Sequence, residues 1–117
     1  MTGFHHRKLP SFSTLLTGRI PPDDVGVASE RLQIWYNNTE ERWADDGLHA
    51  HQESDECFIV LRGEIVVEVG DKTVVIGSGE FCFFPQGVFH RVVEVRPPIE
   101  SLMIRAPSIG DKIFKQT

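Results

Sequence analysis

The chain has no apolar run approaching the roughly eighteen residues of a membrane-spanning helix. No transmembrane helix is therefore expected. It has no excess of positive charge: 12 Lys and Arg stand against 17 Asp and Glu, a net charge of −5. Nucleic acid and anionic membrane both call for clustered cations, so neither is expected as a partner. Cysteine is scarce. Cys57 and Cys82 form no CxxC pair, and each lies in an apolar run. They read as buried reduced thiols of a cytoplasmic protein. A disulfide or a thiolate ligand is the alternative. The opening segment Met1-Thr2-Gly3-Phe4-His5-His6-Arg7-Lys8 leads into no long apolar run, so no secretory signal is expected. Internal repeats, low-complexity stretches and any long 3.6-residue period are also missing.

What is present suits one small domain. Of 117 residues, 40% are hydrophobic, enough for a single core. Short runs rich in Val, Ile and Phe predict strands at 31–36, 47–51, 56–62, 64–69, 73–76, 81–84, 89–95 and 99–105. Turn formers separate them: Gly63, Gly70-Asp71, Gly77-Ser78-Gly79, Pro85-Gln86-Gly87 and Pro97-Pro98. Gly70-Asp71 between two valine-rich runs predicts a tight hairpin. Asn37 to Asp46 reads as a polar loop broken by Trp43. Many short strands without helices predict an all-β sandwich or barrel. Residues 1–30, with Pro10, Pro21 and Pro22, read as an N-terminal arm that wraps the domain or pairs with a neighbouring copy to form a dimer. Residues 31–106 form the barrel, and 107–117 a tail that makes a helical turn or packs as an arm.

Four metal-capable side chains stand in two clusters. His49 and His51 are two apart, so on a strand they share a face. Gln52 to Asp55 reads as a turn, after which Glu56 returns beside them, with Phe58 and Val60 on its inward face. His90 opens the next cluster after the Pro85-Gln86-Gly87 turn, with Val92 and Glu94 at its parity. Neutral imidazole suits Fe, Mn, Co, Ni, Cu and Zn, and one carboxylate offsets part of the charge. Four protein ligands leave positions open on a six-coordinate ion, as a catalytic site requires. Glu53 and Asp55 compete with Glu56 for the ligand role, or form a solvated acidic turn. His5 and His6 read as surface histidines.

These residues resemble the cupin superfamily, the RmlC-like jelly rolls. The family's first motif ends H-x-H, three or four residues, Glu, six residues and Gly. His49, His51, Glu56 and Gly63 fill that core, while Gly47 stands closer to His49 than the motif asks. The second motif is Gly, five residues, P-x-G, two residues, His, three residues and Asn. Gly79, Pro85, Gly87 and His90 match it, but Glu94 replaces the Asn. The resemblance covers roughly 31–106 and implies a double-stranded β-helix, the cupin jelly-roll barrel. It implies one divalent ion per chain (Fe, Mn, Ni, Zn or Co, with Fe favoured) held by His49, His51, Glu56 and His90. It also implies a homodimer.

The functional expectation is a metal-dependent enzyme acting on a small organic molecule, with dioxygenase chemistry favoured over isomerase or lyase chemistry. The alternative is a cupin that binds a sugar or metabolite without turnover. Glu94, if inward, is the catalytic acid or base; on a bulged strand it is a surface charge. Arg91 and Arg105 read as anion anchors or as solvated arginines. Phe81, Phe83, Phe84 and Phe89 are expected mostly in the core. Trp35, Phe58, Cys82, Val92 and Met103 are expected on the pocket wall.

Overall fold

Turn formers every few residues leave no room for helices, and the described residues form strands. These are residues 3–19 and 26–116 of a computed structural model. Pro21 and Pro22 of the expected arm lie outside them. In chain order come β1 (Thr14–Gly18), β2 (Val27–Ala28), β3 (Gln33–Thr39), β4 (His49–His51) and β5 (Asp55–Val69). They are followed by β6 (Lys72–Ile76), β7 (Phe81–Phe84), β8 (His90–Ala106) and β9 (Lys112–Phe114). Among the described residues no helix is long and apolar enough to cross a membrane.

One ribbon organises the rest. β5 and β8 pair antiparallel along their length, from Asp55 opposite Ala106 to Val69 opposite His90. The breaks expected at Gly63 and Pro97-Pro98 are therefore corners inside long strands rather than strand ends. The register slips on both sides of Arg62, as bulges do where a strand bends. Gly63 adopts φ 86°, and a Cβ there would overlap the carbonyl oxygen of Pro98. Only glycine tolerates both conditions.

Each half of the ribbon belongs to a different sheet. One sheet runs β2-β1-β3-β8-β5-β7 and uses the Ile99–Ala106 half of β8. The other runs β9-β4-β8-β5-β6 and uses the half that begins at His90. The two face each other as the expected all-β jelly roll. Phe58, Val60, Val67, Phe84, Val92 and Ile99 fill the space between. Each fully buried aliphatic or aromatic side chain contributes roughly 1.5–3 kcal/mol. The hairpin at Gly70-Asp71 forms as expected, with Val69 opposite Lys72.

Three expectations need correction. β3 continues through Asn37 and Asn38 to Thr39, because it is bonded along its edge to β8. Of the two readings of the tail the helical turn is overturned, because Lys112–Phe114 make β9 and pack along β4. Phe81 and Phe83 are 69% and 54% exposed. Alternation along β7 turns Phe84 into the core with Cys82 partly buried against it, and leaves the other two outside.

Candidate metal centre

β4 is too short to stand alone, and it is fixed from both edges. His49 pairs with His90 of β8, and all three residues of β4 pair with β9. Gly87, in the turn before β8, donates its N–H to the His51 carbonyl at 2.7 Å. Alternation then places the His49 and His51 side chains on one buried face. On β5, Glu56, Phe58 and Val60 turn inward together, as expected.

The corner at Gly63 assembles the centre. Glu56 pairs with Arg105 at one end of the β5–β8 ribbon, and His90 pairs with Val69 at the other. Doubling over brings these ends together, so that Glu56 Oε1 lies 2.7 Å from His90 Nε2. Glu56 Oε2 lies 3.4 Å from His51 Nε2. The rings of His49 and His90 stand 4.6 Å apart, and Phe84 stacks on His90 at 3.9 Å. One ligand atom from each of His49, His51, Glu56 and His90 falls within 4.8 Å of the others. Bonds of about 2.1 Å to a shared ion would set neighbouring ligands roughly 3.0 Å apart and opposite ones roughly 4.2 Å. The cluster is compatible with a metal site.

Hydrogen bonding fixes the orientation of two of the rings. His49 Nδ1 lies 3.1 Å from the Gly47 carbonyl, and His90 Nδ1 lies 3.0 Å from the Val88 carbonyl. A carbonyl oxygen only accepts, so Nδ1 carries a hydrogen and Nε2 is the nitrogen turned toward the cluster. In His90, Nε2 faces the Glu56 carboxylate at 2.7 Å, a contact that a proton shared between them or a cation would satisfy. Burial pushes His49 below its ordinary value, against the opposing pull of the Gly47 carbonyl. Burial would raise the Glu56 carboxyl, but the hydrogen bonds and charge of His51 and His90 outweigh it and hold it at about 2. A neutral imidazole and an ionised carboxylate at neutral pH are the states that bind metal.

Asp111 was not legible from the sequence as a site residue. Its Oδ1 lies 3.3 Å from His51 Nδ1. Its Oδ2 accepts from Ser54 Oγ at 2.6 Å and from the Glu53 N–H at 2.9 Å. A carboxylate so placed would orient a ligand imidazole from behind. The alternation Lys112-Ile113-Phe114 hinted at a strand, but no local signal joined the tail to His51. We expect Asp111→Asn to weaken divalent-metal affinity by about 10–100-fold. Competition against a chromophoric chelator would read it. Wild-type affinity in a correctly folded variant would contradict the role.

The remaining candidates separate cleanly. Glu53 and Asp55 are exposed, and Asp55 accepts the Gln86 N–H at 3.0 Å. His5 and His6 are exposed. Arg91 pairs with Glu68 at 2.8 Å. Glu94 departs from its expected face. The ladder pairs Val66 with Glu94 but Val67 with Val92, so Val93 is an extra residue on β8. That bulge reverses parity: Val92 and Val95 are buried, and Glu94 lies outside beside Arg96 at 3.5 Å and Arg42 at 3.9 Å. Cys57 and Cys82 are free thiols, both pushed up by burial, Cys82 to about 11.

A cavity of about 670 Å³ reaches the cluster, with His49, His51 and Glu56 in its wall. Trp35, Phe58, Val92 and Met103 line it as expected, and Trp43 joins them. Cys82 packs against the core instead. Arg105 also lines it, which makes it the arginine of the expected pair that meets the site.

A family model described as the cupin domain matches residues 39–97. The uncharacterised protein YdbB of Bacillus subtilis is 43% identical over 44 residues, which is 37% of this chain and 39% of that protein. The chain thus matches well under two thirds of that relative's length. A cupin protein from Bacteroides fragilis aligns with 100% of this chain and 93% of its own, with a TM-score of 0.70 and 12% identity. Streptomyces Pac13 in complex with uridine aligns with 75% of this chain and 70% of its own, with a TM-score of 0.62 and 17% identity. Likeness at such identities concerns the fold.

Proposed function

The chain belongs to the cupin family, and on that footing we propose that it is a metal-dependent enzyme acting on a small organic molecule, of the dioxygenase type. The observation that carries this is the cavity. The phenylalanines do not plug it; it opens onto three of the four clustered side chains. In this reading His49, His51, Glu56 and His90 hold one divalent ion, with iron preferred. Such an ion would supply Lewis acidity, and iron would add one-electron chemistry with dioxygen.

The protein's own groups would bind and orient the substrate and keep water out. Trp35, Phe58 and Met103 offer an apolar wall, and Asp111 holds the His51 ring still. Isomerase and lyase chemistry lean on a protein acid or base, and Glu94 faces away from the cavity. Asp45 does line it, but its Oδ2 accepts the Val92 N–H at 2.8 Å. With Glu94 outside and Asp45 engaged, exposed Glu41 and Lys112 remain on the wall for proton transfer, which favours a reaction that asks little of it. Pac13, described as a nucleoside dehydratase, keeps the second class in view.

Metal identity decides between them. The purified protein is expected to carry iron by mass spectrometry. Reloaded with ferrous iron, it should consume dioxygen with a dicarbonyl, thiol or phenolic compound. Turnover of such compounds by the zinc- or nickel-loaded protein without dioxygen would replace this reading with the lyase or isomerase one.

A cytoplasmic location fits the two free thiols. A homodimer fits the outer face of β7, where exposed Phe81 and Phe83 pair with Ile59 and Cys57 of β5. Light scattering should then read twice 13.2 kDa. A monomer at assay concentration would exclude it.

A further inference from the structure

Arg105 is poorly explained by the fold alone. It faces inward on β8, opposite Glu56 on β5 and Gln33 on β3. Its side chain is 17% exposed. Nη1 lies 3.2 and 3.1 Å from the two ring nitrogens of His51, nearly equidistant, so it rests against the ring and favours neither nitrogen. Glu56 Oε2 is 3.8 Å away, beyond a hydrogen bond. Nε is buried without a partner, and so is the hydroxyl of Ser101, which lies on the same strand and also lines the cavity. Two donors on one wall are left without acceptors, at the cost usual for buried polar groups.

Charge points the same way. Arg105 is charged at every accessible pH. If a divalent ion sits among the histidines, the guanidinium is a second cation within a few ångströms of it. Of the carboxylates around the cavity, Glu56 and Asp111 already serve the histidines, Asp45 accepts the Val92 N–H, and Glu41 is exposed, so none of them fills the guanidinium fork. One more negative group in the cavity would sit between like charges and satisfy the guanidinium fork. The fork matches a carboxylate, which it binds through two parallel hydrogen bonds. Beyond this end the wall is mixed: Trp35, Trp43, Phe58 and Met103 form an apolar patch beside the polar Asn37, Asn38 and Thr39.

We infer that this cavity takes a small monocarboxylate with a flat apolar body, its carboxylate seated on Arg105 beside the metal and its body among Trp35, Trp43 and Phe58. The inference rests on the metal reading above and names its substrate class.

The molecule carries its own probe, because both of its tryptophans line this cavity. Zinc-loaded protein, which is redox-inert, would be titrated with benzoate, phenylacetate and cinnamate and with their neutral amides. Tryptophan fluorescence reads binding. At least one acid should bind about tenfold or more tightly than its amide, the usual scale for a charge-assisted pair. Arg105→Gln should abolish that preference at unchanged zinc content. Arg105→Lys keeps the charge without the fork and should retain part of it. Equal affinities for every acid and its amide, no binding by any acid, or a preference that survives in Arg105→Gln would overturn the inference. Zinc content of the same samples separates the two claims. Protein that takes up no zinc sinks the metal reading and this one with it, whereas full zinc without acid preference sinks this one alone.

Discussion

Replacing His51 by alanine is expected to lower affinity for a divalent transition ion by more than about a hundredfold. Losing a group that merely orients a ligand costs 10–100-fold, so losing a ligand should cost more. His51 is a demanding case. It is 3% exposed, and it stands between Asp111 on its Nδ1 side and Glu56 on its Nε2 side. Alanine would remove a donor and leave both carboxylates facing a gap. The variant must therefore be shown to fold, by circular dichroism and by its melting profile. Glu56→Gln gives a second line of evidence, because it keeps the volume and removes the charge. Both variants should bind far less metal than the wild type. If either retains wild-type affinity, the four side chains are not the ligands.

Loading the metal-free protein with its ion should raise the melting temperature by roughly 15 °C. An ion at a thousandfold excess over its Kd, bound only by the folded state, stabilises by about 4.1 kcal/mol. For a domain of this size each kcal/mol is worth roughly 4 °C. The ligands come from β4, β5 and β8, so one ion would tie together both sheets and both ends of the folded ribbon. The shift should rise with the logarithm of free metal and vanish with a chelator. Identical melting curves with and without chelator would leave no room for a tight site.

Much of this centre was legible because it rests on local periodicity. His49 and His51 share a face by strand parity, and so do Glu56, Phe58 and Val60. What was hidden depends on features that alternation does not carry. A single extra residue, Val93, turns Glu94 out of the cavity, and nothing in Arg91-Val92-Val93-Glu94 marks the bulge. Gly63 and Pro97-Pro98 look like strand ends in the sequence, because corners and turns draw on the same residues. The pairing of β5 with β8 on both sides of them reveals the difference. Phe81 and Phe83 show that apolar character is not burial when a strand lies at a sheet edge. Asp111 reaches His51 only through the tail's pairing with β4, a contact between distant parts of the chain.

The same geometry explains the weight placed on Gly63. It lies away from the ligands, yet it sets the corner that brings Glu56 to His90. The candidate centre depends on one backbone conformation as much as on its imidazoles.

A crystal structure of the metal-loaded protein, with data collected at the ion's absorption edge, would test the centre most directly. The prediction is one anomalous peak per chain, bonded to the Nε2 atoms of His49, His51 and His90 and to a carboxylate oxygen of Glu56, with the cavity at its open side. No peak at that position, or an ion held by other residues, would contradict it.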